Sequence, residues 1–357
     1  MMPFAPATPL SVVLAILGLS GFVALLFIGS MLVPGPMRQG GLQPDGRIVR
    51  YRLNGLALFV LCLAATAVFQ VVGPGLAPLA RQFWSLIIAA NLLVWPAALA
   101  LFFAGIPDRP RRLGDFFLGI ERNPSLFGVD LKMFSYRPSL IGLALINLAF
   151  AALQWQQAGS LTLAMTLYQL FTLLYVANYF HFERGMLFTW DIIEERFGWN
   201  LIWGDFVLVP FFYCLPAIYV FLRPNALPIV AAPFLLVAYA FGFWLFRGAN
   251  EQKYRFREAP DKPIWGRAPR TIAGRLLVSG FWGIGRKLNY TGELLMYGSW
   301  TLLSGFHSPV PYLVPIWLLC LLAQRAERDD RRCRAKYGAL WEEYCRQARF
   351  RMFPYIY

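Results

Sequence analysis

The chain has 357 residues, of which 58% are hydrophobic and only 15% are charged, and its formal net charge is +14. A soluble protein carries about 25% charged residues, so this composition excludes an ordinary soluble domain. The apolar residues are concentrated in long runs, which predicts an all-α integral membrane protein. The first run lacks a charged leader and a small-residue cleavage pattern, so we expect a membrane helix there and not a signal peptide.

Apolar runs of about 20 residues are long enough to cross a bilayer as helices. They lie near residues 10–33, 53–72, 83–105, 138–156, 160–181, 206–223, 227–246, 288–306 and 310–323. The run 276–285 is too short to cross and is expected to dip into the membrane or to lie at its surface. We therefore predict nine to ten transmembrane helices, followed by a cytosolic, partly helical C-terminal tail.

Lysine and arginine are distributed asymmetrically among the connecting segments. With the spans above, the basic segments 34–52, 106–137, 247–275 and 325–357 all fall on one side, which predicts that they are cytosolic. Attraction to anionic lipid explains part of this charge. Since no recognised nucleic-acid module is present, we expect membrane lipid and no nucleic acid as a partner. The oligomeric state stays open.

Several chemistries are excluded by residue counts. The chain has two histidines and five cysteines without a C-x-x-C pair, so we expect no metal site. The sequence contains neither G-x-x-x-x-G-K-[ST] nor G-x-G-x-x-G. A bound nucleotide would therefore have its phosphates held by charged side chains and not by a glycine-rich loop.

Two basic segments could hold such phosphates. Lys253 and Arg257 are four residues apart and share a face if the helix of the preceding span continues; the competing interpretation is a snorkelling helix end. Further on, "SGFWGIGRKLN" places Trp282 for stacking, Arg286 and Lys287 for phosphate, and Asn289 for an amide or ribose. An interfacial tryptophan with positive flanks is the alternative there.

A charged stripe follows the last apolar run. If the helix continues past residue 324, Arg325, Arg328, Asp329 and Arg332 lie on one face, with Asp329 positioned to pair with Arg325. The stripe could orient a substrate, or it could be a solvated salt-bridge helix. The final residues mix aromatic side chains with cations, so we expect the tail to dock and not to fray.

Polar side chains also occur inside an apolar span. Tyr168, Tyr175, Tyr179 and Glu183 are spaced by seven, four and four residues, which places them on roughly one helix face. Ionisable groups at membrane depth are costly and usually functional. Interfacial aromatic belts also supply tyrosines, so a structural role stays open.

The motifs together resemble the sterol reductase family, which includes C14-, C7- and C24(28)-sterol reductases and the reductase domain of the lamin B receptor. Residues 324–338, QRAERDDRRCRAKYG, match the family's C-terminal pattern Arg-x-x-Arg-Asp-x-x-x-Cys-x-x-Lys-Tyr-Gly. The resemblance extends to "RGANEQKYRFR" (247–257), "SGFWGIGRKLNYTGELL" (279–295) and the first signature at 113–147. It implies an N-terminal transmembrane bundle with a sterol-side pocket (1–246) and a cofactor-binding region (247–357).

The resemblance implies NADPH-dependent reduction of a carbon–carbon double bond in a sterol, with C14 favoured over C7 or C24(28), by protonation followed by hydride transfer. The side chains that the motifs assign to the cofactor are Lys253, Arg257, Trp282, Asn289, Arg325, Asp329 and Tyr337. Tyr175 and Asp329 are the candidates for proton delivery, with Glu183 in reserve. We expect a bacterial inner membrane, or the endoplasmic reticulum if the source is eukaryotic.

Two other functions compete with this interpretation. The tail is also similar to that of isoprenylcysteine carboxyl methyltransferases, which bind S-adenosylmethionine but are usually shorter. A membrane scaffold is the alternative without catalysis. The number of apolar segments and the complete C-terminal signature favour the reductase.

Overall fold

The computed structural model describes residues 4–107, 109–224 and 227–357, and it is mostly helical. The chain divides into two compact units, Met1–Leu222 and Arg223–Tyr357. The division expected from the sequence, at residue 246, falls inside a continuous helix, Ala232–Glu258. The boundary between the units therefore lies in the loop that precedes this helix.

Unit 1 contains the first eleven α-helices and two short hairpins. They are α1 (Pro9–Leu32), β1 (Met37–Leu42), β2 (Ile48–Arg52), α2 (Gly55–Val72), α3 (Ala77–Arg81), α4 (Phe83–Ala104), α5 (Leu113–Leu118), β3 (Ser125–Leu126), β4 (Val129–Asp130), α6 (Leu131–Ala158), α7 (Leu163–His181), α8 (Glu183–Met186), α9 (Trp190–Ile193), α10 (Trp199–Trp203) and α11 (Leu215–Leu222), with a π-helix (Gly204–Phe212) between the last two. β1 pairs with β2 and β3 with β4, both antiparallel.

Helix α6 is the centre of unit 1. Its first turn is capped by Asp130, which accepts a hydrogen bond from the Met133 amide at 2.7 Å. The helix ends at Gly159 in the left-handed conformation, with φ of 70°. Phe134 and Ile141 of α6 pack with side chains of α1, α2 and α7 in one buried apolar cluster. This packing fixes the N-terminal end of α6, which carries the charged residues described below.

The π-helix interrupts the last span of unit 1. Pro210 lies within it and has no amide hydrogen to donate, so a regular α-helical ladder cannot continue there. The wider turn starts at Gly204 and places Asp205 in the protein interior. Single π-helical turns within α-helices occur frequently at functional sites.

Unit 2 contains the remaining helices and one small hairpin. They are two single 3₁₀ turns (Ile229–Ala231 and Val310–Tyr312), α12 (Ala232–Glu258), β5 (Thr271–Ile272), β6 (Leu276–Leu277), α13 (Phe281–Ile284), α14 (Leu288–Leu302), α15 (Leu313–Tyr337) and α16 (Ala339–Gln347). The expected break at 276–285 is present, since this stretch forms a strand, a turn and the four-residue α13.

Helices α12 and α14 approach each other backbone to backbone. A Cβ atom on Gly292 would lie 2.4 Å from the Phe246 amide nitrogen and 2.5 Å from the Gly242 carbonyl oxygen. A Cβ on Gly242 would lie 2.8 Å from the Gly292 carbonyl oxygen. Only glycine fits at either position without moving a helix, so these two residues set the separation of α12 and α14.

Seven helical segments in the described part of the chain are long and apolar enough to cross a membrane. They are Pro9–Leu32, Gly55–Val72, Phe83–Ala104, Leu131–Ala158, Leu163–His181, Trp199–Leu222 and Ile229–Glu258. The predicted all-α integral membrane protein agrees with this helical content. α14 and α15 coincide with two further predicted spans but do not meet the same length and hydropathy criteria.

Candidate active site

A buried ion pair joins α6 to the start of α8 in unit 1. Arg137 Nη2 lies 3.3 Å from Glu183 Oε1, and both side chains are about 95% buried. The second carboxylate oxygen of Glu183 accepts the Gly55 amide at 3.0 Å, and Arg137 also donates to the Arg52 carbonyl at 2.9 Å. Burial raises the pKa of Glu183, while Arg137 opposes that shift. Glu183 therefore holds its proton more readily than an exposed glutamate does.

A group of buried hydroxyls lies beside this pair. The rings of Tyr136 and Tyr179 are 5.8 Å apart. The Tyr179 hydroxyl is buried without a hydrogen-bond partner in the described residues, and it is close enough to Tyr175, Glu183 and Asp205 for their charges to act on it. Tyr175 and Tyr179 therefore lie with Glu183 and Asp205 in one polar cluster within an apolar bundle.

Two details of the predicted tyrosine stripe differ in the structure. Helix α7 ends at His181, so Glu183 belongs to α8 and not to the same helix face. Tyr168 is fully buried and donates to Asn147 Oδ1 at 3.2 Å, which ties α7 to α6. Tyr168 therefore has a structural contact, whereas Tyr175 is half-buried.

In unit 2, α12 continues past the apolar span to Glu258, as the spacing of Lys253 and Arg257 predicted. The Lys253 ammonium lies 4.5 Å from the centroid of the Trp282 ring, a cation–π contact. Trp282 is buried and anchored by a hydrogen bond of 2.8 Å from its indole nitrogen to the Ala249 carbonyl. Trp282 thus orients Lys253, which has no carboxylate within ion-pair distance among the described residues.

Asp329 pairs with a residue that lies 42 positions away in the sequence. Its carboxylate contacts the ammonium of buried Lys287, a partner different from the Arg325 that helix spacing suggested. Burial alone would raise the pKa of Asp329, but the charge and hydrogen bond of Lys287, together with the charges of Lys253 and Arg332, outweigh burial and lower it. The same contact raises the pKa of Lys287 against the effect of its own burial. Both groups are therefore charged near neutral pH.

The other predicted cofactor residues surround this pair. Arg257 lies close enough to Asp329 and Tyr337 to interact electrostatically with both. Arg325 lies within the same kind of reach of Tyr290. Tyr337 stacks on Trp341 with ring centroids 6.5 Å apart. Asn289 donates to Asn250 Oδ1 at 3.2 Å, while its own Oδ1 is buried without a partner in the described chain. Unit 2 thus collects the predicted set on α12, α13, α14 and α15.

Arg286 has a role different from the predicted phosphate contact. It donates to the Ala348 carbonyl at 2.9 Å and lies 3.4 Å from Asp330, which also pairs with Arg351 at 2.7 Å. The Thr291 hydroxyl donates to the Met352 carbonyl at 2.6 Å. The tail docks on unit 2 through these contacts, as its aromatic composition predicted.

Six charged residues that the sequence did not single out lie at buried contacts. They are Asp115, Asp130, Lys132, Arg137, Asp205 and Asp330. Asp205 accepts a hydrogen bond from the Ser135 hydroxyl inside unit 1. An acid inside an apolar run was a usable signal for Asp205, because such residues are rare at membrane depth. No comparable signal existed for Arg137, which the sequence places among many basic loop residues.

The match to known proteins is nearly complete along the chain. Residues 4–357 match the Ergosterol biosynthesis ERG4/ERG24 family. A Delta(14)-sterol reductase of Arabidopsis thaliana is 39% identical over 349 residues, which cover 94% of either chain. A Delta(14)-sterol reductase of Methylotuvimicrobium alcaliphilum is 38% identical over 356 residues, covering 95% of this chain and 83% of its own.

A third relative differs in the reaction that its name describes. A 7-dehydrocholesterol reductase of Xenopus laevis is 36% identical over 226 residues, covering 60% of this chain and 48% of its own. The similarity to sterol reductases does not favour the methyltransferase alternative. The chain belongs to the ERG4/ERG24 family of sterol reductases and is an oxidoreductase.

Proposed function

We propose that this protein reduces the C14 double bond of a sterol with NADPH. The observation that carries the proposal is the cluster around Asp329 in unit 2, where cationic side chains outnumber carboxylates. Lys253, Lys287 and Arg257 all lie within electrostatic reach of this one carboxylate. Lys287 is buried and Lys253 is partly buried, and an excess of positive charge away from water is unfavourable unless an anion compensates it. The phosphates of NADPH would supply that anion.

The residues present fit this cofactor. Lys253, fixed by Trp282, offers a point charge, and Arg257 and Arg325 offer forked guanidinium groups suited to phosphate. The unpartnered Oδ1 of Asn289 is suited to accept a hydrogen bond from an amide or a ribose hydroxyl. Tyr337 would support the same region. When bound, NADPH supplies the hydride.

The reaction also needs an acid. An isolated ring alkene has no carbonyl to polarise it, so a proton must reach one alkene carbon before hydride can be accepted at the other. We assign proton delivery to Tyr175 and Asp329, with Glu183 as the reserve donor; because the Asp329 carboxylate is ionised, it would act by relaying a proton through water. The raised pKa of Glu183 supports the reserve role, because it favours the protonated form. Since a neutral tyrosine is a weak acid, a hydrogen-bonded network is expected to share the proton.

The choice of C14 rests on the two relatives that align along most of this chain, the Delta(14)-sterol reductases of a plant and a bacterium. Alignments over about 60% of the chain occur both for other Delta(14)-sterol reductases and for the 7-dehydrocholesterol reductase. Reduction at C7 ranks second, and reduction at C24(28) follows. Within the chain, we assign the sterol pocket to the N-terminal bundle and cofactor binding to the C-terminal region.

The same proposal includes a topology. We place α14 and α15 in the membrane as additional spans, giving nine to ten transmembrane segments, with the basic loops and the C-terminal tail in the cytosol. A bacterial inner membrane is the favoured location. The cysteines Cys333 and Cys345 are unpaired and only partly buried, so a membrane-impermeant maleimide tests this arrangement. It should label them in inside-out vesicles and not in intact spheroplasts.

The direct test measures binding and turnover separately. Calorimetry on the purified protein should show binding of NADPH in preference to NADH, and no binding of S-adenosylmethionine. Sterols with a C14, C7 or C24(28) double bond should then be compared as substrates. Tyr175→Phe should bind NADPH normally but turn over slowly. Binding of S-adenosylmethionine alone, or reduction of only the C7 sterol, would contradict the proposal.

A further inference from the structure

A cleft opens in unit 1 where three apolar helices begin or end. Its walls come from the C-terminal end of α1, from β1 and β2, from the β3–β4 turn and from the start of α6. α1 ends at Leu32, α2 begins at Gly55 and α6 begins at Leu131, and each is a candidate membrane span. The cleft therefore lies at the level where a protein meets phospholipid headgroups.

Three arginines line this cleft. The side chain of Arg50 is exposed and forms neither a hydrogen bond nor an ion pair with any described residue. Arg52 donates to the Met31 carbonyl at the end of α1. Arg137 is about 97% buried, and its Nε has no partner in the described chain, although Nη2 binds Glu183. The cleft thus carries positive charge that protein carboxylates compensate only in part.

The carboxylate in the lining forms no ion pair with these arginines in the described residues. Asp130 Oδ1 accepts the Met133 amide at 2.7 Å, and Oδ2 accepts from Asn123 Nδ2 at 2.8 Å. Both oxygens are therefore occupied by uncharged donors. Burial also raises the pKa of Asp130, which disfavours its negative charge.

The lip of the cleft is apolar and strained. Phe127, at the tip of the β3–β4 hairpin, is 80% exposed and has a φ of 48°. The left-handed region is unfavourable for a bulky side chain, so a glycine would be the more stable choice at this turn. Met37, on the opposite hairpin, is 55% exposed. An exposed aromatic residue beside cations is typical of an anchor at the membrane surface.

We propose that this cleft binds the headgroup of an anionic phospholipid. Its phosphate would lie between Arg50 and Arg52, whose guanidinium groups suit the geometry of phosphate oxygens. The acyl chains would lie along Phe127 and Met37. Basic pockets between transmembrane helices commonly hold anionic headgroups. The site is independent of the proposed sterol reduction.

The test is lipid retention by the full chain. Wild type, Arg50→Gln and the double variant Arg50→Gln/Arg52→Gln are reconstituted in nanodiscs, and the preference for phosphatidylglycerol over phosphatidylcholine is measured by native mass spectrometry. We expect the preference to fall about fivefold for each arginine removed. Arg50→Gln is the decisive variant, because Arg50 makes no contact that holds the fold.

Arg38→Gln is the matched control. Arg38 is an exposed cation on the same hairpin and does not line the cleft. An equal loss in Arg38→Gln would mean diffuse attraction to the membrane and would overturn the site, as would unchanged retention in Arg50→Gln. Inorganic phosphate at constant ionic strength distinguishes the source. If phosphate displaces the lipid, the cleft binds soluble phosphate groups and the lipid assignment is wrong.

A second variant tests the lip. Phe127→Gly relieves the strained backbone, so its melting temperature should equal or exceed that of wild type. Retention of phosphatidylglycerol should nevertheless fall severalfold, because the anchor is gone. A variant that is no less stable and retains as much lipid would remove Phe127 from the site and overturn this part of the proposal.

Discussion

Glu183 in unit 1 and Asp329 in unit 2 are both partly or fully buried carboxylates with a cationic partner, yet they respond in opposite directions. Burial dominates at Glu183, where one arginine faces one glutamate, and the pKa of Glu183 is raised. Cations dominate at Asp329, and its pKa is lowered. Burial therefore has the larger effect on the carboxylate of unit 1, whereas neighbouring cations have the larger effect on the carboxylate of unit 2.

The two arrangements suit the two halves of the proposed reaction. A carboxyl group with a raised pKa, next to buried tyrosines, is better suited than an exposed one to donate a proton to an apolar substrate. A cluster with more cations than carboxylates is useful for binding phosphate. The variants below test this division, beginning with the largest expected effect.

Asp329→Asn should lower turnover by about 10²–10⁴-fold, because Lys287 loses its charged partner and a proton-transfer group is removed. NADPH should bind at least as tightly, since the cluster becomes more positive. Single-turnover kinetics with calorimetry separate the two quantities. Glu327→Gln, which removes an exposed acid from the same helix, is the control. Parallel losses of affinity and turnover would show that Asp329 only helps to bind the cofactor.

Glu183→Gln should destabilise the fold by about 3 kcal/mol, because Arg137 is left buried without a counter-charge. Denaturant unfolding in detergent measures the loss. Adding Arg137→Met should restore much of the stability, since neither charge then remains buried. If the single variant is as stable as wild type, the ion pair is not what holds α6 to α8.

Lys253→Ala should weaken NADPH binding by about ten- to a hundredfold, the effect of losing a charged hydrogen bond. Unfolding should change little, because Lys253 contacts Trp282 and no carboxylate within ion-pair distance among the described residues. Lys262→Ala removes an exposed lysine from the following loop and should bind NADPH as wild type does. Equal losses in both variants would replace the specific contact with general electrostatic attraction.

The pH dependence of stability should be the smallest effect and should differ between the units. The lowered pKa of Asp329 contributes stability that is present above about pH 4 and lost as the pH falls through its folded value. The raised pKa of Lys287 contributes stability that is lost only when the pH rises above about 10. The raised pKa of Glu183 contributes stability that is lost as the pH rises above about 4.

Melting temperatures of Lys287→Gln and Glu183→Gln between pH 3.5 and 9 measure these contributions. The deficit of Lys287→Gln should be constant from about pH 5 to 9 and should shrink in acid. The deficit of Glu183→Gln relative to wild type should instead shrink as the pH rises above about 4, because only wild type loses the contribution of the protonated carboxyl group. If both variants show the same dependence of melting temperature on pH, the pKa values of Glu183 and Asp329 are not shifted in opposite directions.

The sequence predicted those features that involve residues of a single helix. The continuation of α12 and α15 beyond their apolar runs followed from charge spacing, and both helices are present. The break at 276–285 followed from its glycines. The helical period indicates which residues share a face. It therefore grouped Lys253 with Arg257 on α12, and placed Asp329 in the charged stripe of α15.

Partners on different helices could not be predicted in this way. Lys287 and Asp329 are 42 residues apart, and Arg137 and Glu183 are 46 apart. The sequence offered Arg325 as the partner of Asp329 because helix spacing considers only residues of the same helix. The π-helix was also missed, since proline in an apolar run is compatible with several kinds of distortion.

The contact between Gly242 and Gly292 means that a substitution at either position would change the separation of α12 and α14. α12 carries Lys253 and α14 carries Asn289, and the distance between these helices is set by main-chain atoms with no side chain between them. One added methyl group would spread the helices while every charged residue stayed in the sequence. Misplacement by about 1 Å can reduce a rate a hundredfold. A substitution at either glycine would therefore look kinetically like a damaged cofactor site, although neither glycine is one of the proposed cofactor residues.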